Sequence, residues 1–232
     1  MKKFLFLAAT AFLAASCFHI NPNFKLSMSG VNGINGEGPV ETRELDFKDF
    51  NGIKIVGNAD VDLLQGESWK VTLTTQKNVF DSLDYQVSDG ILVIRIKGNR
   101  SVRAEEYDLT IQAPDWKSIQ VEGAADVSSN APIKTEGDLS IHISGAGDLD
   151  LQGGITCRTL DMQIDGAADV EAHGLDVEAL KIEINGAGDV EVSGKAGEAD
   201  MEVNGAGDID AKQLSVSGEF RKRTSGIAKI RH

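Results

Sequence analysis

One short stretch, Gly145–Ala146–Gly147–Asp148–Leu149, recurs along this chain. Near-copies stand at Gly123–Ala124–Ala125–Asp126–Val127, Gly166–Ala167–Ala168–Asp169–Val170, Gly186–Ala187–Gly188–Asp189–Val190 and Gly205–Ala206–Gly207–Asp208–Ile209, with an earlier cousin at Gly57–Asn58–Ala59–Asp60–Val61. From Asp126 the aspartates advance by 22, 21, 20 and 19 residues. A period near twenty is the mark of a solenoid, in which each repeat is too small to bury its own apolar face and must stack on its neighbours.

Two aliphatics precede each motif: Ile119 and Val121, Ile141 and Ile143, Met162 and Ile164, Ile182 and Ile184, Met201 and Val203. Polar residues (Gln120, His142, Gln163, Glu183, Glu202) lie between them, and one aliphatic follows each Asp. Side chains alternate across a strand, so the aliphatics share one face and the polar residues the other. Stacked rungs then make a continuous inner column. The Gly–Ala–(Gly/Ala)–Asp element fits a corner between two strands: glycine admits backbone angles that a Cβ forbids, and Asp accepts hydrogen bonds from nearby amides. Asp60, Asp126, Asp148, Asp169, Asp189 and Asp208 are assigned this corner role. Further glycines at Gly137, Gly153, Gly174, Gly194 and Gly218 suggest a second corner per rung. The expected fold is an all-β, single-stranded parallel β-helix with rungs of about 20 residues, roughly eight or nine of them by the repeat count.

The template extends in both directions. Ile53–Asp62 fits every column, and Ile94–Arg103 fits with Ser101 in the Asp place. At the far end Ser225–Gly226–Ile227–Ala228–Lys229–Ile230–Arg231 replaces Asp by Lys229 and the outer acid by Arg231, so the last rung is a basic cap on an acidic ladder. Between these, Val71 and Leu73, then Leu92, Ile94 and Ile96, keep a strand period. Ser88–Asp89–Gly90 reads as a turn, and Asn78–Leu83 as one short turn of helix.

The N-terminus stands apart. Lys2 and Lys3 followed by an apolar run from Phe4 to Ala15 read as a secretory signal over residues 1–16, too short to span a membrane as a helix. Leu13–Ala14–Ala15–Ser16–Cys17 resembles a bacterial lipobox, which makes Cys17 the expected lipidation site; ordinary cleavage after Ser16 is the alternative. The division is then signal 1–16, lipid-anchored tether 17–40 and β-helix 41–232. The β-helix comprises less regular rungs (41–115), regular rungs (116–212) and a basic cap (213–232). Cys157 reads as a small buried filler. The formal charge of −13 excludes nucleic acid as a partner, because a duplex is bound through Lys and Arg.

A signal or lipobox, Gly33–Ile34–Asn35, then Arg43, Phe47, Phe50 and Ile53, then serial Gly–x–Gly–Asp repeats, resemble the DUF2807 family, described as a putative auto-transporter adhesin with a head GIN domain. The resemblance covers about residues 33–230. It implies a right-handed parallel β-helix similar to pectin-lyase-like folds, an envelope location and adhesion, with no catalytic residues to carry over.

The repeated acids admit two readings. Columns of carboxylates ~4.8 Å apart repel by ~0.9 kcal/mol per neighbour in bulk water. Amide hydrogen bonds, raised carboxyl pKa values or bound calcium would each relieve this. The calcium nonapeptide is similar in composition but repeats every nine residues, so no cofactor is assigned. A polysaccharide-active enzyme needs one distinguished acid–base pair, whereas here every rung offers the same one. His19, His142, His173 and His232 make no metal spacing. The expected protein is non-enzymatic, exported and anchored in the outer membrane through Cys17, presenting a polar face to a glycan or protein. A scaffold without external ligand is the alternative.

Overall fold

The computed structural model describes residues 33–98 and 100–232; the signal segment, Cys17 and the first part of the expected tether lie outside them. Strand makes up 74% and helix 2%, so the core must be closed by strands alone. In chain order these are β1 (Ile34–Asn35), β2 (Val40–Leu45), β3 (Gly52–Gly57), β4 (Asp60–Gln65) and β5 (Lys70–Gln76). The single-turn α1 (Lys77–Phe80) precedes β6 (Leu83–Ser88), β7 (Ile91–Ile96), β8 (Val102–Arg103) and β9 (Tyr107–Ala113). The coil proper follows as β10 (Ser118–Gly123), β11 (Asp126–Ser129), β12 (Ile133–Lys134), β13 (Asp138–Leu151), β14 (Ile155–Ala187), β15 (Asp189–Val216) and β16 (Phe220–Arg231).

From β10 onward the chain winds as a parallel β-solenoid of about five turns, each of about 21 residues. Ile119 lies between Ile53 and Ile141, and Val121 between Ile55 and Ile143. The same columns continue through Met162 and Ile164, and through Ile182 and Ile184 beside Met201 and Val203. All of these are buried. Each such side chain contributes about 1.5–3 kcal/mol when fully buried, and it can do so only with a neighbouring rung in place.

The corner explains the glycine. Gly145 stacks between Gly123 and Gly166, holds φ at 137°, and would drive a Cβ into the Gly123 carbonyl. Both the dihedral and the close approach of neighbouring backbones require glycine there. The second-corner glycines do not form a comparable column: Gly153 sits over Ala131, Gly194 over Leu175 and Gly218 over Gly197. The ladder also shifts register between Ala172 and Leu175. Changes in repeat length are therefore absorbed at this corner, which leaves the first corner aligned.

The N-terminal layers depart from the repeat reading. β4 lies between β9 and β11, and β3 between β7 and β10. The chain thus lays down its first layer, leaves through β5 and α1, adds β7 and β9 to the outer side, and crosses back to begin the coil. β2–β5, β5–β9 and β6–β7 are antiparallel. Fewer continuous turns result than the eight or nine rungs expected, because layers before residue 115 are not successive turns. Leu92, not Ile94, stands beside Ile53, so Ser101 does not occupy the Asp place; Asp108 does, opposite Asp60. β1 pairs with β8, which brings Ile34–Asn35 into the fold from within the expected tether. No helix among the described residues is long and apolar enough to cross a membrane.

Candidate functional site

Strand alternation turns two columns of acids outward just past the first corner. In the first, Asp108, Asp60 and Asp126 are side-by-side neighbours, and Asp148, Asp169 and Asp189 follow in register. Asp208 comes next and stands opposite Lys229. Two residues on, Asp62, Ser128, Asp150, Glu171 and Glu191 make the second column, and Asp210 faces Arg231 at its end.

The corner aspartates bond from rung to rung. The amide of Asp148 donates to Asp126 Oδ1 (3.2 Å), that of Asp189 to Asp169 Oδ1 (3.4 Å), and that of Asp208 to Asp189 Oδ1 (2.9 Å). One carboxylate oxygen of Asp126, Asp169 and Asp189 thereby serves the stack. Arg231 ends the column, its guanidinium 2.7 Å from Asp208 Oδ2.

Two shallow grooves follow from this arrangement. One is lined by Asp60, Asp108, Asp126 and Asp148 with Thr110 and Ser128, over a floor of Val61, Leu109 and Val127. The other runs along Asp169, Glu171, Asp189 and Glu191 to Arg231. The first groove has no basic residue in its lining. Accordingly, burial and then the charges of Asp126 and Asp108 raise the pKa of Asp60. Burial and then Asp126 and Asp169 raise that of Asp148, partly offset by the Asp169 amide. At the other end, hydrogen bonds from Lys212, and then the Lys212 and Arg231 charges, lower that of Asp210.

A raised carboxyl pKa means that the folded state holds its proton more tightly than the unfolded chain. Its penalty is therefore present at neutral pH and fades as pH falls through the folded pKa. Asp148→Asn keeps the oxygen that accepts from the Asp169 amide and removes the like charge. The expected result is a gain of a few tenths to about 1 kcal/mol in urea denaturation at pH 7, shrinking as the pH approaches 4. A loss of stability at pH 7 would show that neither burial nor like charge penalises the Asp148 carboxylate in the fold.

A further polar ladder lies on the neighbouring face, in the residue just before the corner glycine. Asn185 donates to Asp165 Oδ1 (2.9 Å) and Asn204 to Asn185 Oδ1 (3.1 Å). The ladder's signal in the sequence is the polar residue immediately before each corner glycine, Asp165, Asn185 and Asn204. Asp108 has no such signal: nothing around it spells the motif. His142 and His173 stay in separate places, 3.7 Å from Asp165 and 3.9 Å from Glu171. Cys157 is buried, and burial pushes its thiol up to about 11. Among the described residues no group of three or more His, Cys, Asp or Glu could hold a metal ion. Cys17 lies outside the described residues.

The sequence profile of DUF2807, the putative auto-transporter adhesin with head GIN domain, matches residues 49–231. The chain belongs to this family. Solved structures agree in fold. A putative adhesin from Parabacteroides distasonis is 20% identical with a TM-score of 0.74, over 86% of this chain and 99% of that one. A putative lipid binding protein from the same species is 22% identical, also with a TM-score of 0.74, over 86% and 96%. A putative adhesin from Bacteroides fragilis is 21% identical with a TM-score of 0.66, over 85% and 99%. No curated protein matches the chain in sequence. The family and these adhesins are described by binding and not by catalysis.

Proposed function

We propose that this DUF2807 member is a non-enzymatic, exported adhesin-type module, held at the outer membrane through a lipid on Cys17, that presents its repetitive polar faces to a glycan or protein surface. The observation that carries this reading is the regularity of the acidic ladder. One rung offers a weak contact, but the same contact repeated along a rigid axis sums over many sites on an equally repetitive partner. Such a rigid array loses little conformational entropy on binding. The repetition of the same acid pair from rung to rung argues for a binding surface over a single acid–base centre, which needs one pair in a distinct environment.

The test is a glycan array together with a cell-attachment assay on the purified protein. Attachment should fall at least about tenfold when Glu171 and Glu191 are both replaced by Lys, because repeated contacts multiply the loss. These exposed substitutions should leave the melting temperature nearly unchanged. Attachment to no surface at all would favour a scaffold role instead. For the anchor, a palmitate analogue should label the protein and fail to label Cys17→Ala.

A further inference from the structure

The last strand carries more cations than any that precedes it. β16 carries Arg221, Lys222, Arg223, Lys229 and Arg231 and not one carboxylate, in a chain whose net charge is −13. Its cations stand in register with the acids of β15: Arg221 beside Asp200, Arg223 beside Glu202, Lys229 beside Asp208 and Arg231 beside Asp210. Among the described residues β16 pairs with β15 alone, so its other edge keeps unpaired backbone donors and acceptors. Ile227, 87% exposed, lies on the same strand and is one of only two exposed large hydrophobics among the described residues.

The inward column also changes here. Lys222 and Thr224 stand where Met201 and Val203 stood one rung earlier, and the Lys222 ammonium donates to the Ile230 carbonyl. An inward lysine disfavours the addition of a plain apolar strand, and like charge disfavours a second copy of β16. An acidic strand meets neither obstacle. It would place carboxylates against the cations from the open side, as β15 does from the closed side.

We propose that the free edge of β16 is a docking surface for an extended acidic polypeptide segment, which adds as one further parallel strand. Main-chain hydrogen bonds would supply affinity, and alternate Asp or Glu side chains over Lys229 and its neighbours would supply selectivity. Ile227 would be covered by the same segment.

The probe is a fluorescent peptide with the sequence of residues 199–210, which carries the β15 acid pattern, titrated with the purified protein by anisotropy. Saturable binding is expected, at least about fivefold weaker for a scrambled peptide of the same composition and for the variant Lys229→Glu, as the loss of one good cross-strand charge pair implies. Ile227→Asp should weaken binding to a similar degree. Both sites are exposed, and Lys229 has no salt-bridge partner among the described residues, so both variants should fold. Amide exchange in residues 220–231 should slow only with the matched peptide. Equal binding of the scrambled peptide would reduce the effect to bulk charge and overturn the proposal. So would binding that survives both variants, or sedimentation showing that a second copy already occupies the edge.

Discussion

Gly145→Ala should cost at least about 3 kcal/mol in chemical denaturation, combining the strain of a positive φ with a backbone collision that a close-packed interior cannot relieve. Gly145 has φ 137°, and the Gly123 carbonyl occupies the space a methyl group would need. Gly57 supplies the control. It heads the same column with φ 115°, yet an added Cβ there meets nothing within 4 Å. Gly57→Ala should therefore show the dihedral cost alone, about 1–2 kcal/mol. Equal losses at the two positions would mean that the stacking of backbones does not constrain the corner, and that glycine is there for its φ only.

That pair of positions also marks how far the fold was legible in the sequence. Where the coil is regular, each column is set by one local rule repeated: an inward aliphatic, a corner glycine, an outward acid. Ile141, Met162 and Met201 stand in the column that their spacing predicted. Ile53–Asp62 also stands in the columns its template predicted, but legibility fails between that layer and residue 115, where order in space is not order in sequence. Ile94–Arg103 resembles a rung, and its Lys97–Gly98 resembles a corner. The register is nevertheless set by the β6–β7 hairpin, whose two-residue turn at Asp89 and Gly90 places Ile91 opposite Ser88. Hairpin geometry fixes register independently of any periodicity. Val102–Arg103 then lie off the solenoid path, paired with Ile34–Asn35.

The candidate site divides in the same way. The corner aspartates could be named because they repeat, and their hydrogen bonds follow from stacked amides. Their electrostatic inequality could not be read. Asp60 and Asp148 are the members of the column whose pKa is raised, and this depends first on burial within the first groove and then on Asp126, with Asp108 adding to the effect at Asp60 alone. Asp108 joins the column only through the chain's excursion. At the basic end the signs were legible but the pairing was not: Arg223 reaches both Glu202 and Asp200, a diagonal contact that one-to-one register does not specify.

Trp116→Ala should be the most damaging single truncation, at about 3–5 kcal/mol, the range for removing a buried Trp. Trp116 is fully buried where the chain crosses from the outer layer β9 to the coil at β10. Its ring packs at a tilt against Phe50, 6.2 Å between centroids, and its indole N–H donates to the Leu64 carbonyl at 3.0 Å. The side chain thus fastens the first layer to the crossing that lets the coil begin. The two tryptophans, Trp69 and Trp116, both lie in the N-terminal layers, so fluorescence reports that region while far-ultraviolet circular dichroism is dominated by the coil. In Trp116→Ala the remaining Trp69, whose indole donates to the Phe50 carbonyl, still reads it. Stability in a solenoid is a sum of nearest-neighbour terms, so damage at one end need not unfold the other. The expected result is a Trp69 transition at clearly lower urea than the circular dichroism transition, where the wild-type transitions coincide. Coincident but shifted transitions would show instead that the out-of-order layers and the five-turn coil are one cooperative unit.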